Sequence, residues 1–239
     1  MSEQRRSRRG SRNQRPGREP SRPPAILDVY RLVRDYGRTR ALGPINLSVG
    51  DGEVVALLGP NGAGKSTLLA IAAGLLEPTS GEVAVCGGQP GSMIARAQVS
   101  YVPDTPVLYD DLSIGETAEF VARLHGAPDW QERLDLLLER FGLDDRADAL
   151  PSMLSRGLRQ RAGLVIGLVR PFRLLLLDEP FATLDQSSME LVGQVLEEEA
   201  AKGAAVLLSS HQHDYLPENC RRVQLSEGRI VQPRQGTPL

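Results

Sequence analysis

The stretch Gly59-Pro60-Asn61-Gly62-Ala63-Gly64-Lys65-Ser66-Thr67 constrains this chain more than any other. It fits the spacing Gly-x-x-x-x-Gly-Lys-Ser, a loop that wraps phosphate groups in backbone N–H. That loop needs a strand before it and a helix after it. Val54-Val55-Ala56-Leu57-Leu58 reads as the buried strand, and Leu68 to Ala73 as the apolar helix. The glycines let N–H groups turn toward an anion without side-chain clashes. The new helix points its positive end at the same place. Lys65 is thereby placed to bridge the β- and γ-phosphates of a nucleotide, and the Ser66 hydroxyl to ligate Mg²⁺.

A chain of 239 residues can bury one large core or two modest ones. The longest apolar run, Thr67 to Leu76, falls well short of the ~18 residues of a membrane span. If the protein acts at a membrane, another chain must cross it. Cys86 and Cys220 are the two cysteines, with no Cys-x-x-Cys. This speaks against a zinc site or a disulfide framework and suits a reducing cytosol.

Charge is unevenly spread. Residues 1–24 hold eight arginines against Glu3 and Glu19, a net +6; the whole chain is −2, which leaves −8 on residues 25–239. The arm has almost nothing apolar, so it is expected to be a disordered basic tail. It lacks the apolar centre of a secretory signal. Its charge suits anionic lipid or RNA, although a solvated tail with no specific role is the simpler reading. An acidic body is not the footprint of a nucleic-acid-binding domain, so nucleic acid is a disfavoured partner.

Along the body, Ile26 to Val33 reads as a strand and Arg34 to Leu42 as a polar loop. Ile45, Leu47 and Val49 alternate with polar residues as a half-buried strand. Tyr36 sits in that loop, where an aromatic ring could stack on a base; position alone favours an ordinary loop tyrosine. Residues 82–85, 99–102, 174–177 and 204–208 are further strands, and 222–225 with 229–232 a closing hairpin. The middle of the chain changes to helical spacing. Ser113 and Glu116 form a capping box ahead of Ile114, Ala118, Val121 and Leu124. Trp130, Leu134, Leu137 and Phe141 repeat the stripe, which assigns Trp130 to a core. Helices are also predicted from Ser155 to about Val169 and from about Ser187 to Lys202. Strands alternating with helices imply an α/β fold with a largely parallel sheet and ligands at the carboxyl ends of its strands. Residues 103–170, which lack strand patterns, are expected as an inserted helical lobe.

Three strands end in polar groups that belong together. The first leads to Lys65. The second ends at Asp178-Glu179, where Asp178 suits Mg²⁺ and Glu179 suits a general base for the attacking water. The third ends at His211, placed for the γ-phosphate side. With these motifs in this order, the sequence resembles the ATPase subunits of ABC transporters over about residues 25–232, leaving 233–239 as a C-terminal tail. The resemblance implies a P-loop core with an N-terminal antiparallel β subdomain. It makes Tyr36 the residue that stacks on adenine, and Gly59 to Thr67 the Walker A loop. Leu154-Ser155-Arg156-Gly157-Leu158 becomes the signature, and Thr183-Leu184-Asp185 the D-loop. It further implies ATP and Mg²⁺, a second ATPase subunit, in a homo- or heterodimer, across whose interface Ser155 and Gly157 touch the γ-phosphate, and an integral membrane permease. Location on the inner face of the cell membrane follows from the same comparison.

Two positions depart from the family pattern. Arg156 and Leu158 replace Gly and Gln in the signature, and Asp104 stands where a metal-sensing Gln is usual. An ionised Asp adds negative charge beside Mg²⁺ and cannot donate. Tyr101 to Tyr109 and Asp178-Glu179-Pro180-Phe181 look like the ABC-2-type and Ecs-like exporters, so both changes read as marks of that branch. A soluble ABC-type ATPase acting on ribosomes or DNA is the competing reading. Against it stand the single ATPase unit and the 88 residues between Lys65 and Leu154, which carry no sustained heptads. A non-hydrolysing regulator is disfavoured because Lys65, Asp178, Glu179 and His211 are all present.

Overall fold

The computed structural model describes residues 25–231. The basic tail, residue 232 and the C-terminal tail lie outside them. Nine strands occur in the described chain: β1 (Leu27–Tyr36), β2 (Thr39–Val49), β3 (Val54–Leu58), β4 (Ser80–Val85), β5 (Val99–Val102), β6 (Leu174–Leu177), β7 (Ala205–Ser210), β8 (Arg221–Ser226) and β9 (Arg229–Val231). Six α-helices accompany them: α1 (Lys65–Ala72), α2 (Met93–Gln98), α3 (Ile114–Leu124), α4 (Trp130–Arg140), α5 (Arg156–Val169) and α6 (Gln186–Ala201).

Two sheets result. β2-β1-β4 is antiparallel, and β5-β6-β7-β3-β8-β9 is parallel except for its last strand. The central strands are apolar on both faces because both faces are covered. Val54, Ala56, Leu58, Leu175, Leu177, Val206 and Leu208 share one core with α3 to α6. Val55, Leu57, Leu174, Leu176, Ala205 and Leu207 share the other with α1 and the antiparallel sheet. The period-2 alternation of side chains thus sorts each strand between two cores. No helix among the described residues is long and apolar enough to cross a membrane.

The expected loop at 34–42 is instead the tip of the β1–β2 hairpin. Asp35 faces Arg40 across the ladder, and Arg40 Nε donates to Asp35 Oδ1 at 2.8 Å. Such cross-strand charge pairs favour a ladder, but charged residues on both sides hide the apolar alternation that marks a strand. Gly37, at φ +60°, makes the turn. Tyr36 therefore ends a strand. Helix α2 was also not anticipated; with six residues it is too short to show a helical stripe.

The segment between β5 and β6 is helical, as predicted. Its capping box forms in both directions: Ser113 N–H donates to Glu116 Oε2 at 2.8 Å, and Glu116 N–H to Ser113 Oγ at 3.2 Å. Ser113→Ala should lower stability by about 1 kcal/mol, read as a lower urea midpoint, whereas Ser113→Thr should hold it. Trp130 is half-buried against the core, with the Arg123 guanidinium 5.8 Å from its ring centre. Leu124, expected on the apolar stripe, is 67 % exposed. It is the last residue of α3 and lies to one side of the buried stripe of Ile114, Ala118 and Ala122. The lobe is tied to α6 by a two-pronged bond from Arg140 to Glu198, at 2.7 and 2.9 Å. At its far end Arg170 is buried, with no carboxylate partner among the described residues. It donates instead to Arg96 O and Ala97 O and lies 3.0 Å from His125 Nε2. Burial lowers its pKa to about 10. These groups lie at the C-terminal ends of α2 and α3, where cations are favoured.

Candidate nucleotide-hydrolysis site

β6, β7 and β3 are neighbours in the parallel sheet, so the three polar strand ends meet at one edge. After β3 the chain turns through the glycine loop. Gly59 packs so closely under β8 that a Cβ there would lie 2.1 Å from Leu225 O. Gly64, at φ +103°, precedes α1, and no side chain caps that helix. The first N–H groups of α1 are thus free for an anion. The cavity beside them, about 360 Å³, is lined by Ala41, Pro60, Asn61, Gly62, Ala63, Gly64, Lys65, Ser66, Thr67, Asp104 and Glu179.

Lys65 is 5 % exposed. Its Nζ donates to Gly59 O at 2.8 Å and lies 3.2 Å from Glu179 Oε1. An ammonium has three hydrogens, so one remains for a phosphate oxygen. Glu179 Oε2 receives His211 on its other side, with Nδ1 at 2.8 Å and the His211 N–H donating at 3.3 Å. Lys65, Glu179 and His211 therefore form one continuous chain, each contributed by a different strand end.

Asp178 and Glu179 do not face the same way. Asp178 continues the face of Leu174 and Leu176, toward α1, and is buried. Its Oδ1 accepts from Ser209 Oγ at 2.6 Å, while no bond to Oδ2 is found among the described residues. Glu179 takes φ +49°, a left-handed conformation that costs a non-glycine residue roughly 1–3 kcal/mol. Its N–H donates to Ser209 Oγ at 2.8 Å. Asp104 follows β5 by two residues, and burial, then Asp178 and Glu179, hold its pKa above the usual carboxylate range. Burial and the same negative field, from Asp178 and Asp104, push the Tyr101 phenol up to about 12.

The donor set suits Mg²⁺. Among the described residues no group of three or more His, Cys, Asp and Glu could cage a metal. Mg²⁺ needs no such cage, because it takes one or two carboxylates and fills its shell with phosphate oxygens and water. Asp178 Oδ2, Ser66 and Asp104 can supply the protein's share.

The remaining predicted residues lie elsewhere. Tyr36 is half-exposed, and the Arg34 guanidinium covers one ring face at 4.5 Å from the centre. Ser155 caps α5, accepting the Leu158 N–H at 3.3 Å. A Cβ on Gly157 would lie 3.0 Å from Thr183 O, so the signature packs on the 183–185 segment. Asp185 caps α6 through Ser188 N–H at 2.9 Å and pairs with Arg161 at 2.6 Å. Bonds from Ser188 and Ser187, with the Arg161 charge, lower its pKa to about 2. None of these four residues lines the cavity of its own chain.

Sequence reading missed two residues of the site. Ala41 enters it through the hairpin, a long-range contact that gives no local signal. Ser209 is placed by sheet order, which leaves no local mark either: ladder pairing of Leu177 with Leu208 puts the next residues, Asp178 and Ser209, side by side.

A phosphate loop at the carboxyl ends of a parallel sheet, with a carboxylate on the next strands, defines a P-loop nucleotide hydrolase. Comparison with known proteins narrows this. The family profile described as ABC transporter matches residues 42–182, and the chain belongs to that family. It is an ATPase of the ABC type. The "SkfA peptide export ATP-binding protein SkfE" of Bacillus subtilis is 33 % identical over 87 % of this chain and 88 % of its own length. The "ABC-type transporter ATP-binding protein EcsA" of the same species is 31 % identical over 78 % and 77 %. Among solved structures, an ATP-binding subunit of an ABC transporter superposes with a TM-score of 0.80 at 34 % identity, over 86 % of this chain and 88 % of that one. The dimeric bacterial ABC transporter cassette MJ0796 gives 0.76 at 26 % identity, over 87 % and 97 %.

Proposed function

We propose that this chain is the ATP-hydrolysing subunit of a membrane exporter, working on the cytoplasmic face with an integral membrane permease and a second ATPase subunit. One observation carries the reading. The cavity holds the phosphate loop, Lys65 and Glu179, whereas Ser155, Gly157 and Asp185 gather on a different surface at the start of α5 and α6. Head-to-tail pairing would supply the missing half, and the related cassette MJ0796 is dimeric. Export is supported by the names of two relatives, SkfE and "Cytochrome c biogenesis ATP-binding export protein CcmA 2" from Cupriavidus metallidurans, the latter 34 % identical over 79 % of this chain.

The residues divide the work. The loop N–H groups and Lys65 hold the phosphates, and Tyr36 offers its uncovered ring face to the base. Ser66, Asp178 and Asp104 would hold Mg²⁺, which would draw charge from the phosphate oxygens when bound. Glu179 takes the proton of the attacking water, and His211 fixes the far oxygen of its carboxylate. Ser155 and Gly157 present a helix N-terminus to the γ-phosphate held by the partner subunit.

The permease docks beside the helical lobe. A groove of about 170 Å³ runs between the end of β5, residues 106–108, α3 and α5. Val107 beside it is 87 % exposed, and Tyr109 and Phe120 stack edge to face at 5.7 Å. Exposed apolar side chains in one region mark an interaction surface. The test is a cross-linking pull-down from gently solubilised cells, using Glu179→Gln protein with ATP and Mg²⁺. Recovery of an integral membrane protein cross-linked near this groove is the expected outcome. Recovery of ribosomes or nucleic acid in its place would overturn the reading.

A further inference from the structure

We propose that Ser209 is a positioning residue for hydrolysis: its hydroxyl holds Glu179 in its working pose and uses the Asp178 carboxylate as anchor. The inference rests on the reading of Glu179 as general base. Ser209 is fully buried in β7, on the sheet face that turns toward α1. Its Oγ lies 2.6 Å from Asp178 Oδ1 and 2.8 Å from the Glu179 nitrogen. An ionised carboxylate can only accept, and an N–H can only donate. The hydroxyl proton must therefore go to Asp178, leaving a lone pair for the Glu179 N–H. A hydroxyl in this place satisfies both at once; a side chain that only donates or only accepts satisfies one.

The bond falls where the backbone needs it. Glu179 leaves the strand direction through a left-handed turn at φ +49°. That turn carries its carboxylate to Lys65 Nζ and His211 Nδ1, at 3.2 and 2.8 Å. A non-glycine residue keeps such a conformation only when its surroundings over-determine it. Ser209 grips the peptide at that residue. It also fixes which Asp178 oxygen points into the protein, so that Oδ2 faces away from the bond. Neither Ser209 nor its hydroxyl lines the nucleotide cavity, so it acts through its two neighbours.

The test compares Ser209→Ala, which adds no bulk, with Ser209→Thr, which keeps the hydroxyl, in the purified full-length chain. ATP turnover is measured against ATP concentration, and hydrogen exchange is followed at the Glu179 amide. Ser209→Ala should lower kcat about 10- to 100-fold with KM within about twofold, the usual cost of losing an outer positioning bond. The Glu179 amide should lose protection, and Ser209→Thr should restore most of both. A kcat within twofold of the parent in Ser209→Ala, or a Thr variant no better than Ala, overturns the inference. Glu179→Gln is assayed alongside. If it turns over normally, the role of Glu179 is wrong. If it is dead while Ser209→Ala is active, only the role of Ser209 is wrong.

Discussion

Glu179→Gln should bind ATP, fail to turn it over and accumulate as closed pairs. Gln matches Glu in shape, so Lys65 and His211 keep a polar neighbour, but an amide cannot take a proton from water. Loss of a positioned general base costs about 10² to 10⁴ in rate, which brings turnover near background. Removing a negative charge 3.2 Å from Lys65 also leaves that ammonium, still bonded to Gly59 O, without a carboxylate competing with the phosphates. Nucleotide should therefore bind at least as tightly as in the parent. Phosphate release and light scattering with ATP and Mg²⁺ measure the two effects. Turnover equal to the parent's would remove Glu179 from its proposed role.

Lys65→Ala acts one step earlier. Charged hydrogen bonds contribute about 1.5–3 kcal/mol each, so loss of the ammonium should weaken ATP binding by about 10- to 100-fold, with hydrolysis falling as well. The variant also leaves the Glu179 carboxylate without its cation in a largely buried position, so thermal stability should drop. Equilibrium binding of a fluorescent ATP analogue separates this variant from the first: Glu179→Gln holds nucleotide, Lys65→Ala does not. Unchanged affinity in Lys65→Ala would count against the assignment of the loop.

The phosphate loop, the strands at 54–58 and 174–177 and the helix of the signature were readable because each is locally complete. A buried parallel strand is a continuous apolar run, and its functional residues follow it directly. The hairpin at 34–42 was not readable, because charge pairs across its ladder replace the apolar alternation. The left-handed turn at Glu179 carries no sequence mark, since neither Glu nor the following Pro announces it. Ser209 shows the limit most clearly. Its role depends on β6 and β7 being neighbours in register, a fact of sheet order that lies 31 residues apart in sequence. Leu124 failed in the opposite direction: its spacing was helical, but the buried face of α3 runs through Ile114, Ala118 and Ala122 and leaves it to one side.

The helical lobe leaves the parallel sheet after Val102 and returns at Leu174, on two strands that are neighbours. In mechanical terms it is a lever with both pivots on one edge of a rigid plate. A push on its outer face has a short covalent route inward, through residues 103–113, and Asp104 is the second residue on that route. The next strand end is one hydrogen bond further, from Asp178 N–H to Val102 O at 2.9 Å. The lobe and the carboxylates are therefore joined by a linkage only a few bonds long.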